Sequence, residues 1–548
     1  MPAVHQVVPD RTVDARASIQ TVQQRARSPE VGGMLVRKNV AVLALAVMVL
    51  ASCGAPAPAG QSATPTQSTT RSVTIVVSGE PPTLDGLHES NTLTFNTITQ
   101  NINETLATID TETRKVVPVL ATAWKSTGAT TWEITLRSGV KFHDGSAMTA
   151  DDVTASLGYV LQQGSAFASY LPYASSRKIN DSTIEITTTR ADPLLPVQLQ
   201  FISVARAADI AKGKDFMATG AVGTGPYKLV NWTKGQSLTL TRFDGYWGTA
   251  PVVKDVTFVW RTESSVRANM VKTGEAQLAL ALSPSDLQGL PKVETIGGLA
   301  VYTLFFNTTG QTKGSIMMDE RLRKAVLYAI DKKALKDQIY GGYATLVGGN
   351  VVPKVVLGHN EKIEDYAYDP AKAKGLVTDA GATGKQVSFL CPSERYINAK
   401  EACQLITAQL TQIGLSVNLN VVPYAVWLDT YRNGPKGLDR PDIMLGGPGD
   451  ETLDMASKVA PTYFRSAKAG GGGGAIDDPQ LEAMVAAAAA EADQTKRQQL
   501  EEQMSKYVFD HAYMGPLLEP NSNWGLAKDV DFKPLSTEVL FLSRIRFI

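Results

Sequence analysis

The residues that could do chemistry in this chain are few, and their spacing does not assemble a reactive centre. His5, His88, His143, His359 and His511 are scattered, with no HExxH and no pair at metal-ligand spacing. Isolated histidines of this kind read as surface or hydrogen-bonded residues. No Gly-x-Ser-x-Gly elbow presents a nucleophilic serine. Gly384-Lys385 has the Gly-Lys pair of a phosphate loop, yet Gln386 stands where Ser or Thr is required, and position 379 is Asp379 rather than glycine. Gly223-Thr224-Gly225 runs into Pro226, which lacks the amide hydrogen a dinucleotide fingerprint would use. The neighbouring carboxylates Asp151 and Asp152 follow Thr149, the pattern of a helix start. These patterns give no catalytic residue, no metal ligand and no cofactor. An enzyme remains open on these patterns, since sites are assembled in space, but nothing here names one.

The cysteines say more. Cys391 ends an apparent strand (387–390), and Cys403 lies twelve positions on, in the helix that follows. In an exported protein such a pair is expected to form a disulfide, worth roughly 3 kcal/mol in the chain-entropy model. The alternative is two buried thiols.

The elements that must position any site alternate along the chain. Residues 73–77 are a continuous apolar run, as in a strand buried on both faces. Residues 132–136, 184–188 and 238–241 alternate apolar and polar as half-buried strands do, and 301–306 and 417–422 are further strands. Leu322, Ala325, Val326, Ala329 and Ile330 recur at helical spacing. Asp331 caps a second helix that Gly341-Gly342 stops, and Asp478 caps a third with Pro479 at its first position. Leu481, Met484, Val485 and Ala488, then Leu500, Met504, Tyr507 and Val508, form stripes that read as core. Gly470–Gly474 precede them as an expected mobile loop. Strand–helix alternation from residue 73 to the end of the sequence predicts an α/β body with more than one lobe.

Charge excludes one broad class of partner. The 53 basic and 53 acidic residues balance, so nothing favours nucleic acid. The N-terminus is distinctive: Arg37-Lys38 precede eleven apolar residues, 40–50, too few to span a bilayer comfortably. A charged segment, a short apolar run and small residues describe a secretory signal. Leu50-Ala51-Ser52-Cys53 is similar to a bacterial lipobox, which makes Cys53 the expected lipidated N-terminus, with translation expected to begin at Met34. The Pro-, Ala- and Ser/Thr-rich stretch after Cys53 reads as a flexible tether to about residue 72.

The segment WEITLRSGVKFHDGSAMTADDV (132–153) resembles a signature of the family 5 extracellular solute-binding proteins, which include the dipeptide-, oligopeptide- and nickel-binding proteins of ABC importers. Gly223–Tyr227, Gly245-Tyr246-Trp247, Phe306-Asn307-Thr308, residues 321–331 and Tyr368-Asp369-Pro370 are similar to further blocks in the same order. A related motif spans Cys391 and Cys403 and supports their pairing. The resemblance implies a two-lobed periplasmic-binding-protein-like α/β fold with an additional domain and a cleft that closes about a hinge. Its implied division is a signal region (1–52), a tether (53–72), lobe I (73–98, 220–306 and 515–548), an additional domain (99–219) and lobe II (307–514). The signature itself is expected to be structural, with turns at Gly139 and Gly145 and Phe142 in the core.

Ligand contacts are expected from the 441–454 segment, which resembles the loop facing the cleft in peptide binders. Asp450 stands where an Asp there pairs with the peptide's α-ammonium, with Gly446, Gly447, Glu451 and Asp454 around it; a solvated loop acid is the alternative reading of Asp450. Gly447 replaces a usual Trp and is expected to enlarge the pocket. Trp427 and Tyr431, four apart on a helix, either wall the cleft or pack into the lobe; Arg395 and Tyr396 are weaker cleft candidates. The implied function is capture of a small ligand, a peptide foremost, and delivery to membrane permease subunits by a lipid-anchored monomer needing no cofactor. A sensing receptor or envelope chaperone without a transporter is the rival, and a hydrolase on the same scaffold a remoter one.

Overall fold

Val73, Ile75, Val76 and Val77 in the strand Arg71–Val77 are all 2% exposed or less, as an apolar run without alternation requires. The computed structural model describes residues 71–548 apart from 88–92, 163–170, 221, 309–314, 394, 434–439 and 466–475. The expected signal region, Cys53, the tether up to residue 70 and Gly470–Gly474 lie outside the described residues.

Arg71–Val77 pairs in parallel with Val253–Trp260 and Leu278–Ala279. Beyond Val253–Trp260 come the antiparallel strands Ser237–Arg242 and Tyr227–Thr233. A second group sets Gln386–Pro392 parallel to Ser416–Val422 and Ile443–Gly446, and Tyr302–Phe306 antiparallel to Ile443–Gly446. The strand Met514–Leu526 joins the groups into one twelve-stranded sheet. Its first residues pair with Tyr302–Phe306, and its last with Lys292–Gly297 and Leu278–Ala279. At the crossing, Glu519 and Pro520 pair with Thr345 and Ala344.

Burial follows these groups. One core gathers Ile75, Leu240, Phe258, Trp524 and Phe532 in lobe I. The second lobe has a core on each face of its sheet. Leu304, Phe389, Leu445 and Ile406 fill one, and Phe305, Met444, Trp427 and Phe464 fill the other. Tyr302–Phe306 thus packs with the second lobe, ahead of the boundary drawn at 306, because its sheet neighbours rather than its chain position fix its partners. The additional domain closes its own core, with Phe142, Val153, Leu157, Ile184 and Ile186 between an antiparallel sheet and the helix Ala150–Gln162.

Local rules hold where the site needs them. Thr183–Thr188 buries alternate residues, Ile184 and Ile186 among them. Asp478 accepts from the amides of Gln480 (2.8 Å) and Leu481 (3.1 Å), opening the helix Pro479–Ala490. Leu481, Val485 and Ala488 of that helix, then Met504 and Val508 of Gln494–Asp510, are buried. Cys391 and Cys403 form a disulfide with Cα atoms 6.5 Å apart, tying Gln386–Pro392 to the helix Ala399–Gln412.

Candidate ligand-binding cleft

The signature segment positions a wall of the cleft from behind. Gly139 (φ 75°) and Gly145 (φ 90°) make its turns, and Phe142 is fully buried. His143 bonds to the carbonyl of Gly225 through Nε2 (2.9 Å) and donates its amide to Gly223 O (3.0 Å). Burial pushes its pKa down to about 4, so the neutral ring donates Nε2–H to that carbonyl. A Cβ on Gly223 would lie 2.0 Å from Ile102 O, and one on Gly225 2.6 Å from Asn101 O. The two glycines therefore let the Gly223–Tyr227 segment press on the end of the helix Leu93–Ile102, which fixes Asn103 and Glu104 just beyond it.

Those two side chains line a cavity of about 560 Å³, together with Tyr246, Thr537 and Arg544 from the first lobe and Glu451 from the second. Glu104 accepts from Tyr246 Oη (2.7 Å) and Trp247 Nε1 (2.8 Å). Burial raises its pKa while these donors oppose the rise. Asn103 is only 2% exposed, and neither polar atom of its amide has a hydrogen-bond partner in the protein. Gly86 leaves room for it, since a Cβ there would meet Asn103 Nδ2 at 2.6 Å. The Thr537 hydroxyl is likewise unpartnered. Buried polar groups are ordinarily satisfied, so these mark where a ligand would complete the hydrogen bonding.

The 441–454 segment presents less to this cavity than its sequence suggests. Of the seven residues expected to contact ligand, only Glu451 is on its wall. Gly446 ends a strand, where a Cβ would meet Phe305 Cε2 at 2.0 Å. Gly447 opens no pocket: Tyr396 and Tyr302 fill the space, 3.1 and 3.4 Å from where its Cβ would be. Asp450 is fully buried, and its Oδ1 accepts from the Thr452 amide (2.9 Å) and the Thr452 hydroxyl. Burial raises its pKa to about 7, opposed by the charge of Lys458. Glu451 pairs with Lys458.

Asp454, 2% exposed, accepts from Arg497 Nε at 2.8 Å. Beside it Glu501 accepts the Ala456 amide (2.9 Å), and burial and the Asp454 charge hold its carboxyl well above the usual range. Trp427 and Tyr431 stack at 5.3 Å and 4° inside the second lobe, against Phe305 and Tyr463, so they pack into the lobe. Arg395 sits 5.7 Å over the rings of Tyr396 and Tyr424.

Asn103, Glu104 and Thr537 were not legible as site residues. Tyr246 of the Gly245-Tyr246-Trp247 block and Pro226 of the Gly223–Tyr227 block are on this wall, but the sequence marked both blocks without a ligand role. Among the described residues no group of His, Cys, Asp or Glu could hold a metal ion, and no helix is long and apolar enough to cross a membrane.

Residues 115–469 match the model of bacterial extracellular solute-binding proteins, family 5 middle. The dipeptide-binding protein of Escherichia coli is 28% identical over 375 residues, 62% of this chain and 68% of that protein. Heme-binding protein A of Haemophilus influenzae is 29% identical over 454 residues, 75% of this chain and 81% of that protein. NikA from Brucella suis, solved in complex with Fe(III)-EDTA, shares the fold with a TM-score of 0.76 at 19% identity, over 87% of this chain and 100% of that one. These relatives are binding proteins, not enzymes. The chain belongs to family 5 of the bacterial extracellular solute-binding proteins.

Proposed function

We propose that this protein is the extracytoplasmic binding subunit of an ABC importer, anchored through a lipid on Cys53, which captures a small peptide as a monomer and delivers it to the permease. One observation carries the reading: a cavity of about 560 Å³ with Glu451 of one lobe facing Asn103 and Thr537, whose polar side-chain atoms lack protein partners. Its size falls within the roughly 300–1,000 Å³ typical of small-molecule sites. A ligand that bonds to walls from both lobes stabilises the closed arrangement over the open one, and closure presents a defined face to the permease. The related dipeptide-binding protein supports a peptide as the cargo.

Native mass spectrometry of the purified protein, with fragmentation of whatever is released, tests the reading. A peptide is expected, held more weakly by Asn103→Leu. Retention unchanged in that variant would place the ligand elsewhere. The anchor is tested by labelling cells with an alkyne fatty acid; label persisting in Cys53→Ala would dismiss it.

A further inference from the structure

Each acid of the 450–454 loop has at least one oxygen taken, and this bears on the ligand's chemistry; in Asp450 the other oxygen, Oδ2, is buried and unpartnered. Glu451, the one loop acid on the cavity wall, is paired with Lys458. The Lys458 side chain is only 12% exposed, so its ammonium is held within the protein rather than in solvent. Asp450 has no exposed surface and gives one oxygen to both donors of Thr452. Asp454 is committed to Arg497 at 2.8 Å. On the opposite wall both oxygens of Glu104 accept, from Tyr246 and Trp247.

A ligand ammonium at Glu451 would have to enter beside a lysine ammonium that is already there. A second cation beside Lys458 would be repelled in this partly desolvated site and would meet a carboxylate whose charge is already balanced. We propose that Lys458 supplies from within the protein the cation that balances Glu451 at the cavity wall, so that the cavity selects peptides whose amino terminus is blocked. The inference rests on the peptide reading above and narrows it. A blocked terminus brings an amide instead of a charge, which suits the unpartnered amide of Asn103 and the hydroxyl of Thr537.

Isothermal titration with Ala-Leu-Ala and N-acetyl-Ala-Leu-Ala at neutral pH tests this. Wild-type protein is expected to favour the acetylated peptide by about tenfold or more. Lys458→Met removes the internal cation and is expected to reverse the order, whereas Lys458→Arg retains it. Lys458→Met also removes the charge that opposes the rise in the pKa of buried Asp450, so the wild-type preference by itself decides the inference should that variant not fold. Equal or tighter binding of the free peptide by the wild type, or a preference unmoved in Lys458→Met, overturns the inference and leaves the peptide reading standing. Failure of both peptides to bind any of the three proteins overturns the peptide reading and the inference with it.

Discussion

Replacing Glu519 with Gln should stabilise the protein at alkaline pH and do little at acid pH. Glu519 sits where Met514–Leu526 crosses from one lobe to the other, paired with Thr345 and 6% exposed. Gly297 lies so close that a Cβ there would fall 1.8 Å from Glu519 Oε1, leaving no room for water on that side. Burial first, and the nearby Glu538 carboxyl second, raise its pKa from 4.5 to about 7.

A carboxyl whose pKa is raised on folding stabilises the fold fully only below its unfolded value; that contribution is lost as pH rises through the folded value. For this shift the loss accumulates between pH 4.5 and about 7 and amounts to about 3 kcal/mol. Gln keeps the shape and cannot ionise. Urea denaturation followed by tryptophan fluorescence should therefore find the two proteins similar near pH 4.5 and Glu519→Gln more stable by about 3 kcal/mol at pH 8. A stability difference that is the same at both pH values would refute the reasoning, because it would mean the carboxylate is solvated when ionised.

Arg497→Ala strips the counter-charge from buried Asp454, next to Glu501, and should cost about 3–5 kcal/mol in the same assay; a loss below about 1 kcal/mol would mean solvent reaches the pair. Replacing Cys391 and Cys403 together by Ser should cost about 3 kcal/mol, and two thiols titrating in the denatured, unreduced wild type would show that the bridge is absent. Gly223→Ala forces a Cβ to within 2.0 Å of a backbone oxygen and should prevent soluble expression, whereas Gly158→Ala, inside Ala150–Gln162 with nothing within 4 Å, should stabilise by about 0.5–1 kcal/mol. Normal expression of Gly223→Ala would show that the Gly223–Tyr227 segment does not press on the helix end.

The sequence by itself determined the elements and the family. Apolar runs, alternation and caps are local properties, so Arg71–Val77, Thr183–Thr188 and the Asp478-capped helix could be read from neighbours a few residues apart. The turns at Gly139 and Gly145 of the signature are local too, whereas its structural role was an expectation from the resemblance. Which side chains reach the cavity between the lobes was decided only by the tertiary structure. Asp450 and Glu451 are adjacent in sequence and both acidic, yet one is buried against Thr452 and the other lines the cavity. Space at Gly447 is set by Tyr396 and Tyr302, about 50 and 145 residues away in the chain. Asn103 and Thr537 line one cavity though more than 400 residues apart in sequence. Side-chain direction and partner depend on contacts of this range, and no local periodicity encodes them.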